Sequence, residues 1–292
     1  MNLRKLGRTE IEIFPIGLGA MPLSVKESRP DEKAAIRVIH AAIDAGVTLI
    51  DTADAYCLDD TETGHNERII GKALAEATAE TRENLVVATK GGMVRPEGRW
   101  EQDGRPEHLR EACEASLKNL RLEAVPLYQF HHPDPNVPLA ESLGELKTLQ
   151  EEGKIVHIGL SNVSMSQIEN AEKSAEIVSV QNRFSPSNRQ PETDGTLAIC
   201  LARNIAFLPW SPLNGMDGAK AVGESHSDIK EIASRHNITP QVLVLAWLLS
   251  KGPNIIPIPG ASREESIRDS VTAAEVRLSL EEIVTLDTCW KS

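Results

Sequence analysis

The chain has 292 residues, a length that suits one large α/β barrel or two ordinary domains. Its formal net charge of -12 argues against nucleic acid or an anionic membrane as the main partner. The first twenty residues lack the apolar run of a signal peptide and no membrane-length apolar stretch follows, so a cytoplasmic location is expected. The cysteines are far apart, without C-x-x-C or zinc spacing, and fit reduced thiols: Cys57, Cys113, Cys200 and Cys289.

The first predicted element is a β-hairpin, in which residues 3–5 and 11–13 flank the turn Gly7-Arg8-Thr9. After it, short apolar runs rich in β-branched residues alternate with longer stretches of helical period. These runs predict eight strands, at residues 16–19, 47–51, 85–89, 127–131, 155–159, 177–181, 205–210 and 255–259.

Apolar residues at helical spacing predict the intervening helices. Well-marked patterns are Ile36, Ile39 and Ile43; Leu109, Cys113, Leu117 and Leu120; and Leu139, Leu143, Leu146 and Leu149. Weaker patterns cover residues 67–80, 164–174, 196–203, 228–236, 241–250 and 264–271. Ser279 and Glu282 have capping-box spacing, which predicts a terminal helix.

Alternating strands and helices imply parallel pairing through right-handed crossovers. Eight such units in this length favour a closed (β/α)8 TIM barrel with an N-terminal β-hairpin, spanning residues 1–292 as a single domain. The main rival is a Rossmann-type sheet. Its G-x-G-x-x-G fingerprint is incomplete after Gly17 and Gly19, and Pro22 falls where its helix should begin.

Polar residues stand at the carboxyl ends of the predicted strands, where a barrel carries its chemistry. They are Asp51, Lys90, His131, Ser161, Asn162, Gln181, Trp210, Ser262 and Arg263. Any loop that begins after a strand tends to be polar, which explains serine and asparagine better than an aspartate, a lysine and a histidine at one mouth. A buried Asp51 and Lys90 would need each other, because an unpaired buried charge costs several kcal/mol.

Tyr56 lies five residues after Asp51, so its loop can return the hydroxyl to the barrel mouth. A tyrosine beside Lys90 is a candidate general acid. An ammonium nearby could lower the tyrosine pKa from about 10 by up to about three units. The alternative is a tyrosine that only packs on the barrel rim.

Several motifs at these positions resemble those of the aldo-keto reductase superfamily, and the resemblance covers nearly the whole chain. They are Asp51-Thr52-Ala53-x-x-Tyr56, Asn66-Glu67-x-x-x-Gly71-Lys72-Ala73-Leu74, Ala88-Thr89-Lys90, Leu127-Tyr128-Gln129-Phe130-His131, Gly153-Lys154-Ile155-x-x-Ile158-Gly159-Leu160-Ser161-Asn162, Val180-Gln181-Asn182, Trp210-Ser211-Pro212-Leu213 and Ile258-Pro259-Gly260-Ala261.

The resemblance implies a reduction of an aldehyde or ketone to an alcohol by hydride from NADP(H), with NAD(H) as an alternative cofactor. Tyr56 would donate the proton, Asp51 and Lys90 would tune it, and His131 would be a second donor to the carbonyl oxygen. The segment 211–227 would close over the cofactor pyrophosphate. The implied cofactor-binding residues are Met21, Ser161, Asn162, Gln181, Trp210, Ser211, Leu213, Gly260, Ser262 and Arg263.

Arg263 and Ser262 are expected to hold the 2′-phosphate of NADPH at a helix N-terminus. Four positions depart from the usual pattern of the superfamily, namely Cys57, Pro126, Ser266 and Ser270. The two serines weaken the expectation of a strict NADPH preference.

The predicted partner is a small carbonyl substrate, with loops 91–105 and 214–227 setting specificity and with Met93 and Trp100 as pocket candidates. No metal is expected, because the side chains of the neighbours His131 and His132 diverge in a strand and no further ligand is suitably spaced. Two other functions stay open: a cofactor-sensing subunit like those attached to potassium channels, and a pyridoxal reductase. The sequence does not indicate an oligomeric state.

Overall fold

A computed structural model describes residues 3–218 and 227–290 of the chain. Within these residues, parallel strands form the centre of the molecule: β3 Leu18–Gly19, β4 Leu49–Asp51, β5 Val86–Gly91, β8 Val125–Phe130, β9 Ile155–Ser161, β10 Ile177–Gln181 and β11 Ala206–Phe207. They pair in the order β11-β10-β9-β8-β5-β4-β3. Two antiparallel hairpins add β1 Arg4–Lys5 with β2 Glu12–Ile13, and β6 Met93–Val94 with β7 Glu101–Gln102.

Helices connect the strands and cover the outside of the sheet. They are α1 Glu32–Asp44, α2 His65–Glu76, α3 Ala79–Glu83, α4 Pro106–Leu120, α5 Leu139–Glu151, α6 Met165–Ala171, α7 Gln190–Thr193, α8 Thr196–Ala202, α9 Gly215–Gly218, α10 Ser227–Arg235, α11 Pro240–Ser250, α12 Glu264–Val271 and α13 Leu280–Cys289. The capping box predicted at Ser279 and Glu282 is confirmed at the start of α13.

The eighth predicted strand, at residues 255–259, closes the sheet between β11 and β3. Ile256 and Ile258 donate backbone hydrogen bonds on the β11 side, at 2.9 and 3.2 Å. Pro257 and Pro259 accept backbone bonds on the β3 side, each at 2.9 Å. The segment is not a regular strand, because proline has no N–H to complete the ladder. The predicted (β/α)8 barrel with an N-terminal hairpin is confirmed, with this irregular closure.

Gly19 allows the first and last barrel segments to approach closely. A Cβ atom at this position would lie 2.7 Å from the carbonyl oxygen of Ile258. Gly17 and Gly19, which match part of a dinucleotide fingerprint, therefore lie just before and within strand β3 of the barrel. Gly19 is needed there for close packing.

The hairpin β1–β2 closes the barrel at the amino ends of its strands. Leu6 and Ile13 are fully buried there, in an apolar cluster with inward-facing residues of the strands such as Leu49, Leu127 and Val178. The opposite end, where the strands finish, stays open.

The helix predicted at residues 67–80 is interrupted at residues 77–78. Helix α2 ends at Glu76, Ala77 is extended, and the side chain of Thr78 caps the separate helix α3 by accepting from the Thr81 amide. The local hydrogen bond of a threonine cap competes with continuation of the helix.

Candidate active site

The predicted site residues meet around one cavity of about 1050 Å³ at the carboxyl ends of the strands. All of them except Lys90 line this cavity: Met21, Asp51, Tyr56, His131, Ser161, Asn162, Gln181, Trp210, Ser211, Leu213, Gly260, Ser262 and Arg263. The predicted segment 211–227 is described only in part, because residues 219–226 lie outside the described residues.

A buried ion pair lies beneath the cavity. The Nζ atom of Lys90 is 2.8 Å from Oδ2 of Asp51, and both side chains are almost wholly inaccessible. Lys90 also donates to the carbonyl oxygen of Thr52 at 2.7 Å and to the hydroxyl oxygen of Tyr56 at 3.0 Å. The ammonium therefore has three acceptors, one for each of its protons. The predicted pairing of Asp51 with Lys90 is confirmed.

Two glutamines complete the hydrogen bonding of the Asp51 carboxylate. Gln181 and Gln129 donate from Nε2 to Oδ1 of Asp51, at 2.7 and 3.2 Å. The side-chain nitrogen of Gln181 also donates to Oε1 of Gln129 at 3.4 Å, so both of its N–H groups are engaged and its side-chain oxygen remains for a ligand in the cavity.

The loop that carries Tyr56 is fixed to the end of the barrel. The amide of Asp54 donates to the Lys90 carbonyl at 3.2 Å, and the Asp54 carboxylate accepts from the amide of Ala55 at 2.6 Å. The Asp54 carbonyl accepts from the amide of Gly64, next to helix α2, at 2.8 Å. These bonds return the chain over the strand ends and place the Tyr56 hydroxyl on Lys90.

The pKa of Tyr56 is raised above its usual value, because burial outweighs the opposing effect of Lys90 and the Asp51 charge acts in the same direction as burial. Lys90 does act to lower the Tyr56 pKa, as the sequence suggested it could, but the net shift is upward. Burial disfavours the phenolate. The pKa of Lys90 is raised as well, because burial, which lowers it, is exceeded by the attraction of Asp51 and Tyr56.

His131 lies directly after strand β8, with its ring centroid 5.8 Å from that of Tyr56. Its pKa is held well below the usual range by burial, by Lys90 and by His132, so the imidazole is neutral at physiological pH. Its Nδ1 atom is buried and has no hydrogen-bond partner among the described residues.

His131 and His132 both line the cavity, although the side chains of neighbouring residues in a strand are expected to diverge. Strand β8 ends at Phe130, so the alternation of a strand no longer governs the two histidines. In the described ranges, no group of three or more His, Cys, Asp or Glu side chains is arranged to hold a metal ion.

The cavity extends from Tyr56 and His131 to the first turn of helix α12. Arg263 is the N-cap residue of α12, but no side chain makes a capping hydrogen bond there. Ser262 and Arg263 are exposed on the cavity wall, and Arg263 Nη2 is 3.5 Å from the hydroxyl of Ser266. Uncapped amides and a cation at a helix N-terminus suit an anionic group.

Between these two ends, Trp210 and Asn162 form one wall of the cavity. The indole nitrogen of Trp210 donates to Oδ1 of Asn162 at 3.1 Å, and Asn162 Nδ2 donates to the His131 carbonyl at 3.0 Å. These bonds fix the indole and the amide relative to the histidine.

Of the departures from the family pattern, Ser266 lines the cavity, whereas Ser270 is buried and bonds to the carbonyl of Ser266 at 2.8 Å. Cys57 is also buried, and its thiol donates to the Ala55 carbonyl at 3.4 Å. Burial raises the pKa of Cys57 to about 11, so the thiol is protonated.

Sequence reasoning missed two parts of the cavity. The loop before α1 contributes Lys26, Ser28 and Arg29, and only its basic residues could have indicated this. The hairpin β6–β7 contributes Met93 and Trp100, as proposed for those side chains, but the hairpin itself was not predicted. No helix in the described part of the chain is long and apolar enough to cross a membrane.

Known proteins resemble this chain over most of its length. A soybean (Glycine max) protein named as a probable aldo-keto reductase is 34% identical and covers 94% of this chain and 85% of its own. An uncharacterized oxidoreductase from Schizosaccharomyces pombe is 32% identical, covering 95% of this chain and 87% of its own.

Solved structures agree with this likeness. A thermostable aldo-keto reductase solved with the inhibitor epalrestat has a TM-score of 0.85 and 33% identity, covering 99% of this chain and 100% of that one. An aldo/keto reductase from Klebsiella pneumoniae, solved with NADP and acetate, shares the fold with a TM-score of 0.82 and 24% identity, covering 99% and 96%. The sequence profile of the Aldo/keto reductase family matches residues 15–291. The chain therefore belongs to the aldo/keto reductase family of oxidoreductases.

Proposed function

We propose that the protein reduces an aldehyde or ketone to the alcohol with NADP(H), and that Tyr56 donates the proton. The observation that carries this proposal is the contact between Lys90 and Tyr56. An ammonium can only donate, so the Tyr56 oxygen accepts from Lys90 at 3.0 Å, and its own proton is left to point into the cavity.

Tyr56 and His131 would both hydrogen-bond to the substrate oxygen. Their rings lie edge to face, with centroids 5.8 Å apart, and both line the cavity. A neutral imidazole keeps one N–H, so His131 can donate a hydrogen bond without transferring a proton. Two fixed donors stabilise the charge that grows on oxygen in the transition state more than they stabilise the neutral carbonyl.

Lys90 and Asp51 would support the proton transfer from Tyr56. As the phenol loses its proton, the oxygen becomes negative while remaining 3.0 Å from the Lys90 ammonium. Asp51 keeps Lys90 charged and in place through their 2.8 Å contact. Because the site is buried, this stabilisation is stronger than it would be in water.

The cofactor would lie along the cavity between Trp210 and helix α12, where the reduced nicotinamide supplies the hydride. Ser161, Asn162, Gln181 and Trp210 would hold the nicotinamide end, and Ser262 and Arg263 would hold the adenosine phosphate. Two observations support the fit: the uncapped N-terminus of α12 and the size of the cavity, about 1050 Å³. Met21, Ser211, Leu213 and Gly260 would line the space between the two ends.

A panel of aldehydes and ketones tests this function directly. The purified chain should consume NADPH faster than NADH with at least one of them, at about 1 per second or more, as loss of nicotinamide absorbance. Tight NADPH binding with no turnover across the panel would contradict the proposal and indicate a cofactor sensor.

The rate of reduction should be insensitive to pH over the neutral range. The raised pKa of Tyr56 keeps the proton donor loaded, so activity should be lost only as the pH rises past about 10. The lowered pKa of His131 keeps the imidazole neutral, so no change is expected near pH 6.5. The measurement is kcat/KM for one aldehyde against pH, which reports groups of the free enzyme. An alkaline limb with a midpoint between about pH 7 and 8 would show that the effect of Lys90 on the Tyr56 pKa exceeds that of burial, and would contradict this prediction.

Arg263→Ala should weaken NADPH binding by about 1.5–3 kcal/mol, the usual range for a charged hydrogen bond, and leave NADH binding nearly unchanged. The reason is that only NADPH carries the 2′-phosphate. Glu264, which could otherwise bind a ribose hydroxyl, is paired with Arg37 at 3.3 Å, and neither Glu264 nor Glu265 lines the cavity.

The measurement is a fluorescence titration with each cofactor. Arg268→Ala is the matched control, because Arg268 is an exposed arginine of the same helix that does not line the cavity. Equal losses for NADPH and NADH in Arg263→Ala would rule out a phosphate contact.

A further inference from the structure

Arg95 joins the hairpin β6–β7 to the loop that carries Tyr56. From its position between the two short strands, it donates to the carbonyl oxygens of Cys57 and Leu58, each at 2.9 Å. It also donates to the Gly98 carbonyl, at 2.8 Å from Nη2 and 3.1 Å from Nε. Cys57 and Leu58 directly follow Tyr56, so one side chain connects two loops over the barrel mouth.

The same guanidinium stacks on Trp100. Its Cζ atom lies 4.1 Å from the centroid of the Trp100 ring, within the range of a cation–π contact. Arg95 is only 6% exposed, and among the described residues no carboxylate lies within ion-pair distance of it. Its charge is balanced by three carbonyl groups and an aromatic face.

Trp100 forms the cavity wall next to the two proposed donors. Its ring centroid lies 6.4 Å from that of Tyr56 and 6.2 Å from that of His131, edge to face in both cases. The residue is 44% exposed, and its indole contacts the guanidinium of Arg95 and the rings of Tyr56 and His131. Strands β6 and β7 have two residues each, and a hairpin that short is marginal without further contacts.

We propose that Arg95 is a positioning residue that fixes the Trp100 indole relative to Tyr56 and thereby favours flat aromatic aldehydes over short aliphatic ones. The Cys57 and Leu58 carbonyls hold the guanidinium, and the guanidinium holds the indole. An aromatic substrate gains from an indole held in place, because aromatic rings attract each other only in defined orientations. A short aliphatic aldehyde has no aromatic ring and therefore gains no such orientation-dependent contact. This inference rests on the proposed function, since it concerns the same cavity.

The test compares benzaldehyde with propanal on wild type, Arg95→Met and Trp100→Leu. Dissociation constants are measured by calorimetry on protein loaded with NADP+, which cannot reduce either aldehyde, and kcat/KM is measured with NADPH. Arg95→Met should weaken benzaldehyde binding about five- to tenfold and propanal binding less than about twofold, with the loss in KM and not in kcat. Trp100→Leu should give the same pattern, and adding Arg95→Met to it should change the selectivity no further.

Arg99→Met is the matched control, because Arg99 is an exposed arginine of the same hairpin that pairs with Glu97 and Glu101 and does not line the cavity. It should alter neither aldehyde. Equal losses for both aldehydes in Arg95→Met, or additive losses in the double variant, would overturn the proposal.

If Arg95→Met does not fold, Arg95→Lys takes its place. Lysine keeps the charge but cannot bridge the carbonyls and stack at once, so the same loss of selectivity is expected. Failure of both variants to fold would make Arg95 a folding residue and also overturn the proposal. A wild type that binds both aldehydes but reduces neither would end the proposed function, while the binding ratios would still decide this inference.

Discussion

Tyr56→Phe should lower kcat/KM for aldehyde reduction by at least about 10²-fold while leaving NADPH binding unchanged. The substitution removes the hydroxyl that accepts from Lys90 at 3.0 Å and, with it, the proposed proton donor. The ring keeps its edge-to-face contacts with His131 and Trp100, so the fold and the cavity should persist. Steady-state kinetics and a cofactor titration on the same preparation separate loss of chemistry from loss of binding.

The chain contains a second tyrosine that serves as a matched control for this variant. Tyr128 is fully buried in strand β8, does not line the cavity, and its hydroxyl has no hydrogen-bond partner in the part of the chain that the structure describes. Tyr128→Phe should therefore keep near wild-type activity. If Tyr56→Phe also reduced a good aldehyde at near wild-type rate, the proton donor would have to be another group.

Lys90→Met should abolish most of the activity and lower the free energy of unfolding by about 3 kcal/mol or more. Both members of the pair are inaccessible to solvent, so removal of the ammonium leaves the Asp51 carboxylate buried without its counter-charge. The double variant Asp51→Asn with Lys90→Met should lose less than the two single losses added together, because it removes the stranded charge.

Urea denaturation of the wild type, Asp51→Asn, Lys90→Met and the double variant gives the free energy of coupling between the two residues. The control is Lys72→Met, which breaks the exposed pair between Lys72 and Glu32 at 2.7 Å and should cost less than about 1 kcal/mol. Strict additivity for Asp51 and Lys90 would be incompatible with the contact between them.

The barrel and the meeting of Asp51, Lys90 and His131 at one end of it could be predicted from the sequence. Alternation of apolar runs with helical periods specifies parallel strands, and parallel strands bring their carboxyl ends together. The Ser279 cap could be predicted as well, because a capping box is a local interaction.

Other features depend on the tertiary structure and could not be predicted. Strands β6 and β7 are too short to show a period, and the alternation rule failed for His131 and His132 because strand β8 had already ended. The pKa of Tyr56 is raised because burial, which sequence spacing does not reveal, exceeds the opposing effect of Lys90. The role of Arg95 depends on contacts with carbonyl groups, and every residue has one.

The junction between residues 255–259 and β3, where Pro257 and Pro259 lie, is the irregular part of the barrel closure. The two prolines accept from the β3 side but cannot donate in return, so the junction has about half the hydrogen bonds of an ordinary parallel pair. Residues 255–259 and β3 should therefore separate locally more easily than other neighbouring strands of the barrel. Met21 follows β3 on one side of this junction, and Gly260 and Ser262 follow residues 255–259 on the other side. Under the proposed function, a bound dinucleotide would contact both sides of this junction. At a free concentration a hundredfold above Kd, it would stabilise the closed barrel by about 2.7 kcal/mol. Binding of the cofactor and stabilisation of the closed barrel would then be a single thermodynamic event.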